Sequence, residues 1–290
     1  MTVIRRCVLA VLAALALSTV PALSSPAGAV RPGARSEARP DRIVSLSPTA
    51  TEMLFAIGAG KQVIAVDDQS DYPANAPRTD LSGYEPNVEA IAGYRPDLVV
   101  LSGTDARRQL ENVGIDTLVL PAAETLGDTY AQIRKLGKVT GRRAKAKAVA
   151  AELRAKIADI LDQVPDRGSR PLAYYELDET YFSADSTTFI GRLLKLAGFA
   201  NVADEAGGDN SGYPQLSAEA IIDADPDVIF LADTECCGQT AQTVARRPGF
   251  AQITAVKEGR VVELDDDVAS RWGPRVVELL RTMVEARTSS

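Results

Sequence analysis

Solid apolar runs of four or five residues alternate along this chain with longer stretches whose apolar positions recur every three or four residues. The runs are short and rich in valine, isoleucine and leucine, as in strands covered on both faces. Strands are therefore expected at Arg42–Ser45, Val63–Val66, Asp97–Leu101 and Thr117–Leu120. A helix follows the first strand: Pro48 stands at its entry, Thr49 and Glu52 have capping-box spacing, and Gly58 or Gly60 ends it. Asp67–Pro86 is crowded with turn formers and reads as a loop, and a short helix starts at Asn87. Strand, helix, strand, helix in this order specifies a parallel sheet with helices on both faces.

Between Thr125 and Val164 the rhythm changes to continuous helical patterning without proline, carrying Gly137 and Gly141. Ala144, Ala146, Ala148, Val149, Leu153, Ile157, Ile160 and Leu161 make an apolar stripe along Arg142–Val164. A long helix of about 20 or more residues is expected there, roughly 30 Å at 1.5 Å per residue. After Gly168 the first rhythm restarts, with strands at Leu172–Leu177, Val228–Leu231 and Val261–Leu264 and helices at Phe189–Ala197, Ala218–Asp223 and Pro274–Arg287. The expected fold is α/β: two Rossmann-like lobes with parallel sheets, residues 41–140 and 167–290, joined by one long backbone helix over 141–166.

The two halves share a phrase. Asn87-Val88-Glu89-Ala90-Ile91 leads to Pro96-Asp97 and an apolar run ending at Leu101; Ser217-Ala218-Glu219-Ala220-Ile221 leads to Pro226-Asp227 and a run ending at Leu231. The offset is 130 throughout. Duplicated α/β lobes imply a ligand cleft between them, lined by the loops that follow the strands. Glu89 and Glu219 fall in the first turn of their helices, where the dipole favours a carboxylate. One on each lobe also suits a two-fold partner that offers an arginine from each half.

The N-terminus adds Arg5 and Arg6, an apolar run of ten residues over Val8–Leu17, and Ala27-Gly28-Ala29. This is the pattern of a secretory signal peptide cleaved after Ala29, with too short an apolar core to span a bilayer. Residues 30–40 read as a flexible leader. Losing Arg5 and Arg6 moves the net charge from −7 to −9, a sign that disfavours nucleic acid and anionic lipid as partners. The chain has no histidine, which removes a Ser-His-Asp triad and histidine metal sites. Beyond Cys7 only the adjacent Cys236 and Cys237 remain, open to either a vicinal disulfide or two free thiols.

Arg42-Ile43-Val44-Ser45-Leu46-Ser47-Pro48, Ser70-Asp71-Tyr72-Pro73 and the two Glu-Ala-Ile…Pro-Asp phrases resemble the class III, helical-backbone periplasmic binding proteins. These are the substrate-capturing subunits of ABC importers for cobalamin, ferric siderophores and haem. The resemblance implies that Glu89 and Glu219 dock on the importer's permease dimer and that the chain works as an exported monomer with no cofactor of its own. Tyr72, Tyr213-Pro214-Gln215, Asp267, Arg271 and Arg275 are similar to the cobalamin-binding branch, where aromatic rings grip the corrin and an Asp and an Arg meet its amide rim. Tyr84 stands where that branch has Trp, and Cys236-Cys237-Gly238 is a further departure. The expected ligand-binding residues are Tyr72, Tyr84, Tyr213, Asp267, Arg271 and Trp272. The expected cargo is a large metal chelate, cobalamin-like, with a ferric siderophore or haem as the alternative. The acidic run Asp265–Asp267 disfavours an anionic cargo. An extracellular carboxylate hydrolase is the competing class, but no Gly-x-Ser-x-Gly elbow, P-loop or dinucleotide fingerprint supports an enzyme.

Overall fold

The computed structural model describes residues 39–165, 168–205 and 211–288. The expected signal segment 1–29 and most of the leader lie outside the described residues. The first lobe contains Ile43–Leu46 (β1), Pro48–Ala56 (α1), Val63–Asp67 (β2), Arg78–Leu81 (β3), Val88–Gly93 (α2), Leu98–Leu101 (β4), Arg107–Asn112 (α3) and Asp116–Val119 (β5). Its strands lie parallel in the order β3-β2-β1-β4-β5. Two helices follow, Leu126–Val139 (α4) and Arg143–Leu161 (α5).

The second lobe contains Leu172–Glu176 (β6), Phe189–Leu196 (α6), Ala200–Asn201 (β7), Ala218–Ala224 (α7) and Val228–Leu231 (β8). Thr234–Cys237 (α8), Ala241–Ala245 (α9), Thr254–Lys257 (α10), Val261–Glu263 (β9), Asp266–Ser270 (α11) and Val276–Thr288 (α12) complete it. Its strands are parallel in the order β7-β6-β8-β9.

Strands β1, β4 and β8 are buried along their whole length, which explains their unbroken apolar sequence. Each sheet has its own outer core: Val44, Ile91, Val99 and Leu110 on one, Tyr174, Ile221, Ile229 and Phe250 on the other. The inner faces meet in a single core that joins Met53 and Leu54 of α1, Ile133 of α4, Leu153 and Ile157 of α5, Phe230 of β8 and Leu280 of α12. Helix α5 packs on α4 from one lobe and on α12 from the other. Burying each large side chain of its stripe stabilises the joint by about 1.5–3 kcal/mol. The lobes are therefore fixed to one another by packing as well as by chain connection.

The helical stretch over 125–164 divides into α4 and α5 where Gly141 takes φ +73°, and α5 has 19 residues, about 28 Å. Two local expectations need correction. Ser47, not Thr49, caps α1: the Ser47 side chain accepts from the Ala50 amide, so Thr49 and Glu52 lie inside the helix. The loop after β2 contains a strand, β3, at the sheet edge; Arg78 and Asp80 face solvent and leave little apolar signal. Among the described residues no helix is long and apolar enough to cross a membrane.

Candidate functional site

Ligands of parallel sheets gather beyond the carboxyl ends of the strands. Four exposed rings lie there. Tyr72 follows β2 and is 48% exposed, Tyr84 follows β3 at 88%, and Tyr213 follows β7 at 45%. Phe182, after β6, is 37% exposed and its backbone bridges to Gln215 beside Tyr213. Phe182 escapes a sequence reading because its neighbour Tyr181 looks equivalent. In the structure Tyr181 is instead packed, stacked on Phe250 at 5.9 Å and under Arg247 at 5.4 Å.

The loop base that carries Tyr72 is held by a buried polar chain. Ser70 Oγ donates to Asp67 Oδ2 at 3.1 Å, Thr51 Oγ1 donates to Ser45 Oγ at 2.9 Å, and Thr51 and Ser70 are themselves 3.0 Å apart. Burial pushes the Asp67 carboxyl above its ordinary range, while hydrogen bonds from Gln69 and Ser70 counter it in part.

Arg271 leaves the end of α11 and crosses to the other lobe. Its Nη1 donates to Glu52 Oε1 at 3.2 Å and Asp71 Oδ1 at 3.1 Å, and its Nη2 donates to the Gln69 carbonyl at 2.9 Å and to Asp267. Arg275 donates to the same Glu52 oxygen from Nε at 3.1 Å and Nη2 at 2.7 Å, and lies 4.4 Å from the centre of the Tyr72 ring. These bonds join the carboxyl edge of β2 to that of β9, so the two edges face one another. Asp267 is pushed up to about 7, by burial first and then by the neighbouring Asp71. For Asp71 burial works upward too, but bonds with Asp267 and Arg271 outweigh it and leave the carboxyl below its usual value. The two acids behave as a pair that holds one proton on Asp267 near neutrality.

Tyr72, Asp267 and Arg271 are thus brought together, whereas Tyr84 and Tyr213 take no part in the network. Trp272 is half-buried against the shared core, with its indole N–H donating to Gln132 Oε1 at 3.2 Å and its carbonyl accepting from Thr129. Its place beside Arg271 in sequence does not make it a cleft ring. Glu52 belongs to the network but carries no sequence signal for it, because its partners lie 219 and 223 residues away.

A second polar cluster underlies the other lobe's carboxyl edge. Arg247 clamps Glu176 with two bonds of 2.6 Å, and the Tyr174 hydroxyl donates to Glu176 at 3.1 Å. Asp233 beside them is fully buried and neither of its side-chain oxygens has a hydrogen-bond partner. Its carboxyl is pushed up to about 7, by burial first and then by the Glu176 charge, with Arg247 opposing. Cys236 and Cys237 follow on α8 as free, exposed thiols, and the Asp266 carboxylate caps that turn by accepting from the Thr234, Glu235 and Cys236 amides. The Cys236 thiol is pushed up to about 12, by partial desolvation first and then by contact with Cys237 and Asp266.

Glu89 and Glu219 are exposed, and neither makes an ion pair or hydrogen bond with a described residue. Their helices are built alike. The Asn87 side chain accepts from the Ala90 amide at 3.0 Å and the Ser217 side chain from the Ala220 amide at 3.1 Å. Asp97 Oδ2 accepts from the Arg42 amide at 3.0 Å, and Asp227 Oδ2 from the Leu172 amide at 2.7 Å.

Known proteins are similar to this chain in sequence and in fold. A cobalamin-binding protein of Halobacterium salinarum is 34% identical over 260 residues, covering 86% of this chain and 70% of its own length. An uncharacterised ABC transporter substrate-binding lipoprotein of Bacillus subtilis is 29% identical, covering 85% of this chain and 80% of its own. The crystal structure of a periplasmic vitamin B12 binding protein of Vibrio cholerae superposes with a TM-score of 0.71, at 23% identity, over 86% of this chain and 97% of that one; this likeness is one of fold. Residues 43–268 match the periplasmic binding protein family, and with the two parallel sheets and the long connecting helix the chain belongs to that family.

Proposed function

We propose that the chain is the extracytoplasmic substrate-binding protein of an ABC importer, capturing a flat, cobalamin-like metal chelate and delivering it unaltered to the permease. The observation that carries this is the set of exposed rings, Tyr72, Tyr84, Tyr213 and Phe182, on loops at the carboxyl edges of two duplicated sheets. A large macrocycle gains chiefly by burying flat apolar area, and a few polar groups orient it. Asp267 lies beside Tyr72 in position to meet an amide rim, Arg271 holds it there, and Trp272 backs them from the core. Glu89 and Glu219 then engage one arginine from each half of the permease dimer. Two relatives, one named for cobalamin and one for ABC transport, support the reading. Their class also supports export; removal of the signal peptide after Ala29 and a monomeric state complete the proposal.

A ferric siderophore or haem is the alternative cargo. Trp272 is the chain's single tryptophan and adjoins Arg271 of the cleft network, so from its core position its fluorescence senses rearrangement of that network without labelling. Quenching titrations and native mass spectrometry against cyanocobalamin, haem and a ferric siderophore test the reading. One tightly bound cyanocobalamin supports it. Binding of none of the three, or turnover of any compound, ends it.

A further inference from the structure

Two arginines at a ligand cleft ordinarily offer forked donors to an anion. Here those forks are taken. Arg271 and Arg275 have side chains only 7% and 12% exposed, and a single carboxylate oxygen, Glu52 Oε1, accepts from both. Asp71 and Asp267 hold the rest of Arg271. Asp265 and Asp267 lie 4.0 and 3.9 Å from Arg275, whose face is covered by Tyr72. The acids outnumber the cations in this cluster. Glu52 itself is 1% exposed, and its second oxygen is buried without a partner. Gly273 leaves room for that oxygen, because a Cβ there would come within 3.2 Å of it.

We propose that Glu52 determines specificity: by claiming both arginines it removes the cationic forks from the cleft and turns the site toward net-neutral chelates and away from anionic ones of similar flat shape. The inference rests on the cargo reading above and names the class that reading selects. Glu52 does not touch the cargo; it acts through Arg271, Arg275 and the Tyr72 ring stacked on Arg275. Asp71 and Asp267 complete the neutralisation.

The test compares two flat macrocycles, cyanocobalamin and haem, of which haem carries anionic propionates. Both affinities are measured by tryptophan quenching for the wild type, Glu52→Gln, and the double variant Asp71→Asn/Asp267→Asn. Stacking is common to the two ligands, so the ratio of affinities reports charge. The wild type is expected to favour cyanocobalamin. Glu52→Gln is expected to raise the haem-to-cyanocobalamin ratio at least tenfold, equivalent to about 1.4 kcal/mol. The double variant, at side chains 44% and 27% exposed, is expected to shift it the same way and decides the matter if Glu52→Gln does not fold. An unchanged ratio in folded variants overturns the inference and leaves the cargo reading standing. A wild type that prefers haem overturns the inference directly. A wild type that binds neither ligand overturns both.

Discussion

Arg95 and Asp225, 130 residues apart, hold the same left-handed backbone position, with φ of 50° and 47°. Each follows the short helix that carries Glu89 or Glu219 in its first turn and leads the chain into a buried strand. A non-glycine residue in this region is uncommon, so its recurrence in both lobes marks a repeated unit rather than a shared propensity. The duplication extends to the hydrogen bond that follows: the Asp97 amide donates to the Arg42 carbonyl and the Asp227 amide to the Leu172 carbonyl, both at 2.8 Å.

The pair of exposed carboxylates on this unit gives the first prediction. Glu89→Ala with Glu219→Ala is expected to abolish importer-dependent uptake while cargo affinity stays at the wild-type level. Folding stability should change by no more than about 0.5 kcal/mol, as for other surface sites. Uptake assays beside quenching titrations check it. Uptake that survives the double change removes the docking role.

The repeated helix-strand unit was legible because everything that specifies it is local: a capping Asn or Ser, an inward isoleucine, a proline and an apolar run. Strand β3 was not, since an edge strand with Arg78 and Asp80 outward looks like a polar loop. Glu52 was misread for a related reason. Its spacing from Thr49 is a local capping signal, whereas its actual partners, Arg271 and Arg275, arrive through the tertiary fold. Trp272 shows the converse error: a tryptophan in a polar stretch resembles a ligand ring, and only the packing of α4 and the Gln132 hydrogen bond reveals that it faces the core.

Cys236 and Cys237 occupy one helical turn, with α-carbons about 3.8 Å apart along the chain, below the usual disulfide range of roughly 4.4–6.8 Å. Both thiols are expected to be free in the purified protein, so reduction should leave the intact mass unchanged. Labelling with iodoacetamide should be biphasic, because a Cys236 thiol pushed up to about 12 supplies little thiolate near neutral pH. A gain of about 2 Da on reduction would show a vicinal disulfide instead.

Gly137 of α4 tests the joint between the lobes. A Cβ at this position would lie 2.2 Å from the Cβ of Ala146 on α5, so Gly137→Ala must push the two helices apart. Overpacking of this kind costs about 1–3 kcal/mol. The better helix propensity of alanine returns at most about 1 kcal/mol. A net loss of roughly 1–2 kcal/mol is expected in urea denaturation. Adding Ala146→Gly removes the opposing methyl and should recover part of the loss. A Gly137→Ala variant as stable as the wild type would show that α4 and α5 are not in close contact.

Asp233 predicts a pH dependence of stability whose sign is fixed by its surroundings. Two buried acids, Glu176 and Asp233, face one cation, Arg247, with the Tyr174 hydroxyl on β6 and the Asp266 charge on α11 nearby. Arg247 is committed to Glu176, so Asp233 is left to hold a proton, and its carboxyl is raised from 3.8 to about 7. The folded chain therefore binds this proton more tightly than the unfolded chain, whose carboxyl titrates near the ordinary value. Stability from this group is greatest below about pH 4, falls as the pH rises toward about 7, and is level above that. Asp233→Asn fixes the neutral form at nearly the same shape, so the variant should lose this slope. A tenfold difference in proton affinity is worth about 1.4 kcal/mol, and the variant is expected to gain at least that much on the wild type between about pH 5 and about pH 8. Urea denaturation at the two pH values measures it. A difference between variant and wild type that is the same at both would mean that Asp233 is ionised in the folded protein and that its charge is matched by something other than a proton.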